Sequence, residues 1–170
     1  MDCKTIHDVE VRNRRVLVRV DFNVPLANGH VVDDTRIRAA MPTVEDLLSR
    51  SSSVILCSHL GRPEGERVSA LSLRPIAPEL ERLLGRRVHF VEDCVGESAR
   101  AAAHRLRSGE LLLLENTRFY AGEQQNDPHM ARGLADLADV FVNDAFGSVH
   151  RSHASTVGVA QQLPAVAGLL

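Results

Sequence analysis

Lysine is almost missing from this chain. Of its 20 basic residues one, Lys4, is lysine and the rest are arginine. Genomic base composition explains such a bias without invoking function, yet it has a physical consequence. No Gly-Lys-Ser/Thr occurs, so a P-loop is excluded. Any anion site built from cationic side chains must use arginine, whose planar fork binds phosphate and carboxylate bidentately. Cysteine is scarce as well. Cys3, Cys57 and Cys94 are odd in number and widely spaced, which indicates neither a disulfide framework nor a zinc motif. A net charge of −2 gives no global case for nucleic acid or membrane partners. The apolar runs fall far short of a membrane span, and Met1–Thr5 has no signal-peptide core. A reducing, cytoplasmic setting is the default expectation. Repeats, low-complexity tracts and linkers are also absent, so 1–170 is read as a single domain.

What is present is 170 residues, 44% of them hydrophobic, enough for one domain with a real core. Short apolar runs at Val16–Val20, Val54–Ser58, Val88–Val91, Leu111–Glu115 and Val140–Asn143 read as strands buried on both faces. Helical patterns lie between them. Thr35–Arg50 carries Ile37, Met41, Val44, Leu47 and Leu48 at helical spacing. Leu73–Leu84 closes on Gly85, Gly96–Leu106 is alanine-rich, and Pro128–Ala138 opens on Asp127-Pro128. Ser155–Leu163 is a shorter helix candidate, capped by Ser155 or Thr156 and ended by Pro164. This alternation predicts an α/β fold, a three-layer αβα Rossmann-like domain with a mainly parallel sheet. The ending Ala165–Leu170 is apolar and has no polar tail, which suggests a chain cut from something longer.

The polar residues that follow the strands point to one edge. Asp21-Phe22-Asn23 follows the first strand, Ser58–Pro63 the second, Glu115–Tyr120 the fourth and Asn143–His153 the fifth. In a parallel sheet these segments emerge together, where ligands bind. That edge collects Arg62, Arg118 and Arg151, with His59, His150 and His153 available and Arg36 opening the first long helix. Several guanidinium groups in one cleft repel each other unless an anion sits between them. Asp21 and Asn23 suit a hydroxyl. The inferred ligand therefore has a phosphate or carboxylate at each end and a hydroxyl between.

Plainer readings stand beside these. A lone arginine is usually a solvated or salt-bridged surface residue. His59 can be a buried histidine, although Gly61 beside it suggests a close backbone approach. His150-x-x-His153 lacks the Glu or Cys of a zinc site. Asp33-Asp34 reads as a helix cap, Asp144 as a loop-orienting residue and Cys57 as core packing. Two competing functions remain: a folded fragment that binds nothing, and a metal-dependent hydrolase using His59, His150, His153 and Asp144.

Five segments together resemble the phosphoglycerate kinase family: Arg19–Pro25, Asp33–Arg38, Ser58–Pro63, Leu113–Tyr120 with Gly122-Glu123, and Val142–Ser155. Their order and spacing are similar to that family's along the whole chain. The resemblance implies phosphoryl transfer between 1,3-bisphosphoglycerate and ADP, with this chain as the 3-phosphoglycerate-binding N-terminal half. It implies that Asp21 and Asn23 bind the glycerate, that His59, Arg62, Arg118 and Arg151 bind the phosphate and carboxylate groups, and that Leu60 and Gly61 also belong to the substrate site. Arg36 is implied to approach the transferring phosphoryl group as the catalytic residue. No cofactor is expected in this chain; Mg-ATP or Mg-ADP is expected on a C-terminal nucleotide domain that has no counterpart here. That missing domain is itself an implied partner. The full-length enzyme is expected to be a monomer, and the chain alone is expected to be catalytically incompetent.

Overall fold

The computed structural model describes residues 4–145, 147 and 150–170; Cys3 and, in the segment after the fifth expected strand, Phe146, Ser148 and Val149 lie outside them. In chain order the elements are β1 (Arg15–Arg19), β2 (Leu26–Ala27), β3 (His30–Val31), α1 (Thr35–Ser49), β4 (Ser53–Cys57) and α2 (Ile76–Leu84). Then come β5 (Val88–Phe90), α3 (Glu97–Arg105), β6 (Leu111–Leu113), α4 (Pro128–Ala135), β7 (Val140–Asn143) and β8 (Ala165–Ala167). Six strands form one sheet in the order β5-β6-β4-β1-β7-β8. Every neighbouring pair in it is parallel.

Strict alternation builds two cores from this sheet. Val16 and Val18 of β1 face one core while Leu17 faces the other; Val54 and Leu56 of β4 oppose Ile55 and Cys57 in the same way. β6 and β7 repeat the pattern through Leu111 and Leu113 against Leu112, and Val140 and Val142 against Phe141. The first core is covered by α1 and α2, through Ile37, Val44, Leu47, Ile76 and Leu80. The second is covered by α3 and α4, through Ala99, Ala103, Met130 and Leu134. Burial pushes the Cys57 thiol up to about 12, as suits a packing residue rather than a nucleophile.

All five expected strands are present, and so is each longer helix, with adjusted ends. Gly85 closes α2 in the left-handed conformation at φ 63°. Asp127 caps α4 by accepting from the Met130 N–H at 3.0 Å. Leu73 lies outside α2, ahead of the cap position at Pro75, and its N–H donates to the buried Glu115 carboxylate at 2.8 Å. β6 ends at Leu113, although the Leu114 and Glu115 N–H groups still donate to the Leu56 and Asp93 carbonyls; the Glu115 carboxylate accepts from Ser72 and Leu73. The expected helix from Ser155 starts at Ala154 as a wide π-type turn, Ala154–Gly158. Its cap residue is His153, whose N–H donates to Thr156 Oγ1 at 3.1 Å, so neither Ser155 nor Thr156 stands at the cap position. Of the acidic pair before α1, Asp33 does the capping, accepting from the Thr35 N–H at 2.9 Å; Asp34 pairs with Arg38 and Arg82.

Two elements add to the expected set. Asn28-Gly29, with φ 51° and 73°, turns the small antiparallel pair of β2 and β3. The apolar ending supplies β8, which extends the sheet beside β7 and buries Val166.

Candidate functional site

The chain leaves β1 and β4 toward α1 and α2 on one face. It leaves β6 and β7 toward α4 and the Ala154–Gly158 turn on the other. β4 and β1 are the central pair, flanked by β6 and β7. Connections from the flanking strands therefore part from those of the central pair, and a crevice opens at the carboxyl ends between them. A cleft of about 310 Å3 lies there, lined by Asp21, Asn23, Arg36, His59, Gly61, Arg62, Arg118, Gly147 and Arg151.

Every residue expected at the site lines this cleft except Leu60. That side chain is buried in the first core, and its backbone is clamped by Asn116, which accepts from the Leu60 N–H at 3.2 Å and donates to its carbonyl at 2.8 Å. Asn116 also accepts from the Arg118 N–H at 3.0 Å, so one amide registers the loops after β4 and β6. Gly61 sits at φ 61°, a backbone conformation that favours glycine, and a Cβ there would press on the Leu71 side-chain methyl at 2.8 Å. Its N–H donates to Asn23 Oδ1 at 3.0 Å. Because an N–H only donates, the Asn23 oxygen occupies that side and its NH2 is left for the cleft.

The electrostatics are lopsided. Arg36, half exposed, is held at 2.8 Å by Asp21, whose other oxygen accepts from the Asn23 N–H. Arg118 donates to the Gly61 carbonyl at 2.9 Å, while its Nε is buried without a protein partner. Burial, then the nearby Arg151 and Arg19, lowers the Arg118 pKa. His59 is driven down to about 2, by burial first and then by Arg19, Arg118 and Arg151. It is therefore a neutral ring, not a fifth cation.

Beneath the cleft lies a buried polar chain that sequence reasoning left without a role. Arg19, on β1 and 1% exposed, donates from Nε to Ser155 Oγ at 2.8 Å, from Nη1 to the Val20 carbonyl, and from Nη2 to His59 Nδ1 at 2.9 Å. Ser155 in turn donates its hydroxyl and its N–H to the fully buried Glu123. An arginine inside a run of valines was the available signal, since a cation in a buried strand demands partners. The other histidines do not join the cleft lining. His150 is exposed, and His153 is buried 3.9 Å from Glu123. Asp144 lies apart, accepting from Thr43 Oγ1 at 2.9 Å and from the Leu170 N–H at 3.0 Å. Among the described residues, no three His, Cys, Asp or Glu side chains could share a metal ion.

A family model described as phosphoglycerate kinase matches residues 6–170. The chain belongs to the phosphoglycerate kinase family. Phosphoglycerate kinase of Moorella thermoacetica is 63% identical over 166 residues, covering 98% of this chain and 42% of its own length. The Desulforudis audaxviator protein is 58% identical and is covered to 43%. Among solved structures, phosphoglycerate kinase from Pyrococcus horikoshii superposes with a TM-score of 0.90 at 33% identity, and that from Coxiella burnetii with 0.87 at 35%. Each is matched over 98% of this chain and about two fifths of its own, 42% and 41%. The chain is thus the N-terminal domain region of a phosphoglycerate kinase fold. No helix among the described residues is long and apolar enough to cross a membrane.

Proposed function

We propose that the cleft binds 3-phosphoglycerate or 1,3-bisphosphoglycerate, as the acid-substrate half of a glycolytic phosphoryl-transfer enzyme. The observation that carries this reading is the convergence of Arg36, Arg62, Arg118 and Arg151 with Asp21 and Asn23 on one crevice. Arginines at such spacing favour a ligand with two anionic groups, and the Asp21–Asn23 side favours a hydroxyl between them. Asp21 keeps lone pairs free on both oxygens after its bonds to Arg36 and to the Asn23 N–H.

Phosphoryl transfer asks a protein for positioning and charge neutralisation more than for covalent help. Arg62, Arg118 and Arg151 hold the acid. Arg36, half exposed and, among the described residues, held through Asp21, can swing onto the equatorial oxygens of a transferring phosphoryl group. The sequence has no Gly-Lys-Ser/Thr loop to cradle Mg-ADP or Mg-ATP, and Lys4 lines a groove with Phe141 and Val166. By family membership, and because the chain spans about two fifths of its relatives, the nucleotide is assigned to the domain beyond this region, and closure of the two halves would complete the reaction site.

Calorimetric titration of the chain with 3-phosphoglycerate tests the reading. Binding is expected to weaken with added salt, and Arg62→Ala or Arg151→Ala should each weaken it about tenfold or more. A coupled ATP-formation assay on the chain alone should show no turnover. Unchanged binding in both variants would refute the site. Absence of any binding would favour the folded, non-binding reading.

A further inference from the structure

Arg19 lies outside the cleft lining, yet it touches a side chain that does line it. Each of its three nitrogens donates one hydrogen bond, to Ser155, the Val20 carbonyl and His59 Nδ1. A guanidinium has donors only. The bond to His59, 2.9 Å long, therefore requires a lone pair on Nδ1. In a neutral imidazole that places the single ring proton on Nε2. We infer that Arg19 is a positioning residue that locks His59 as the Nε2–H tautomer, so that the ring presents one fixed hydrogen-bond donor to an anionic or hydroxyl oxygen of the ligand.

Several observations support this. Arg19 is among the largest fully buried side chains of the fold. It sits on β1, whose parallel pairing with β4 sets Arg19 against Cys57, two residues before His59. Its orientation is fixed from the far side by Ser155, which is anchored in turn on the buried Glu123. Through the Ser155 hydroxyl, Arg19 is thus linked to the buried carboxylate of Glu123. Burial and the surrounding guanidinium groups also keep the His59 ring neutral. A donor pre-set in this way costs no proton rearrangement when the ligand arrives. The inference deepens the acid-binding proposal and rests on it for the nature of the ligand, but the tautomer is observable without any ligand.

Long-range 15N–1H correlation spectra of the 15N-histidine-labelled chain at neutral pH read the tautomer directly. His59 should show a pyridine-type Nδ1 and a pyrrole-type Nε2. Arg19→Met should convert this to a mixed-tautomer pattern and weaken 3-phosphoglycerate binding about tenfold. In a His59→Gln background, where the side-chain amide needs no tautomer, Arg19→Met should change binding less than about twofold. If Arg19→Met fails to fold, Ser155→Ala, which loosens the guanidinium from the other side, should still broaden or mix the His59 signals. A protonated Nδ1 or an imidazolium in the unsubstituted chain would overturn the inference, as would a pure Nε2–H pattern that survives loss of Arg19. A chain that shows the Arg19-dependent tautomer yet binds no 3-phosphoglycerate would sink the ligand assignment and leave the positioning role standing.

Discussion

Single residues carry most of the evidence for the site. Gly61 was legible in the sequence as a close-approach position, and the backbone at φ 61° with Leu71 against it supplies the reason. That Asp21, Asn23 and the arginines share one cleft was legible because the segments after parallel strands emerge on one edge. His59 was legible as a candidate, but its charge state was not. Its folded pKa of about 2 lies far below the ordinary histidine value, with burial as the main cause. The unfolded chain therefore takes up this proton first as pH falls. Stability should be full above about pH 6.5 and decline below it, by up to about 1.4 kcal/mol per pH unit from His59 alone. His153, also lowered by burial, adds in the same direction. Asp144, raised by burial, opposes them over a window just above pH 3.8. Urea midpoints at pH 7.5 and 5.5 should differ accordingly, and His59→Gln should flatten the dependence. A pH-independent midpoint across that range would count against the buried neutral ring.

Elements were legible where their ends carry local chemistry. Asp127-Pro128 opens α4 and Gly85 closes α2 because caps act within one turn. The β2–β3 pair was not among the expected elements, although Asn-Gly at its turn is a local hairpin signal. The π-type turn at Ala154–Gly158 was not legible, because long-range bonds from Ser155 to Glu123 impose it. Strand β8 was read only as an apolar ending. Its place depends on Asp144 and Thr43, which receive the Leu170 and Leu169 N–H groups at 3.0 and 2.9 Å. Gly168 fits this bracket because a Cβ would stand 2.0 Å from Asp144 Oδ1. Gly168→Ala should therefore cost about 1–3 kcal/mol, read as a lower denaturation midpoint. Hydrogen exchange at Ala167 and Leu170 should accelerate more than at Leu56. Equal protection of β8 in the variant would contradict that account.

On the scale of the whole molecule, β1, β4, β6 and β7 each feed both cores. Neither face can lose its helices without exposing the back of a strand shared with the other. The chain should therefore unfold in one step, with far-UV dichroism and tyrosine fluorescence from Tyr120 giving coincident curves. Separate transitions for the two faces would show that the cores are independent. The same sharing explains the location of the site. The central strands β4 and β1 send their loops to one face and their neighbours send theirs to the other, so the divergence leaves a crevice above the central pair.

By itself the sequence determined the α/β class, five of the strands and the longer helices, the two-sided burial of the sheet and the polar and arginine-rich segments that meet at one edge. Those depend on periodicity, capping and charge, which act over a few neighbours. Strand order, the partners of the buried Arg19 and Glu123, and the burial of Leu60 away from the cleft were decided only by tertiary structure. Each joins residues far apart in the chain, and the partner of a buried donor is set by which loops the sheet brings together, a choice no local pattern encodes.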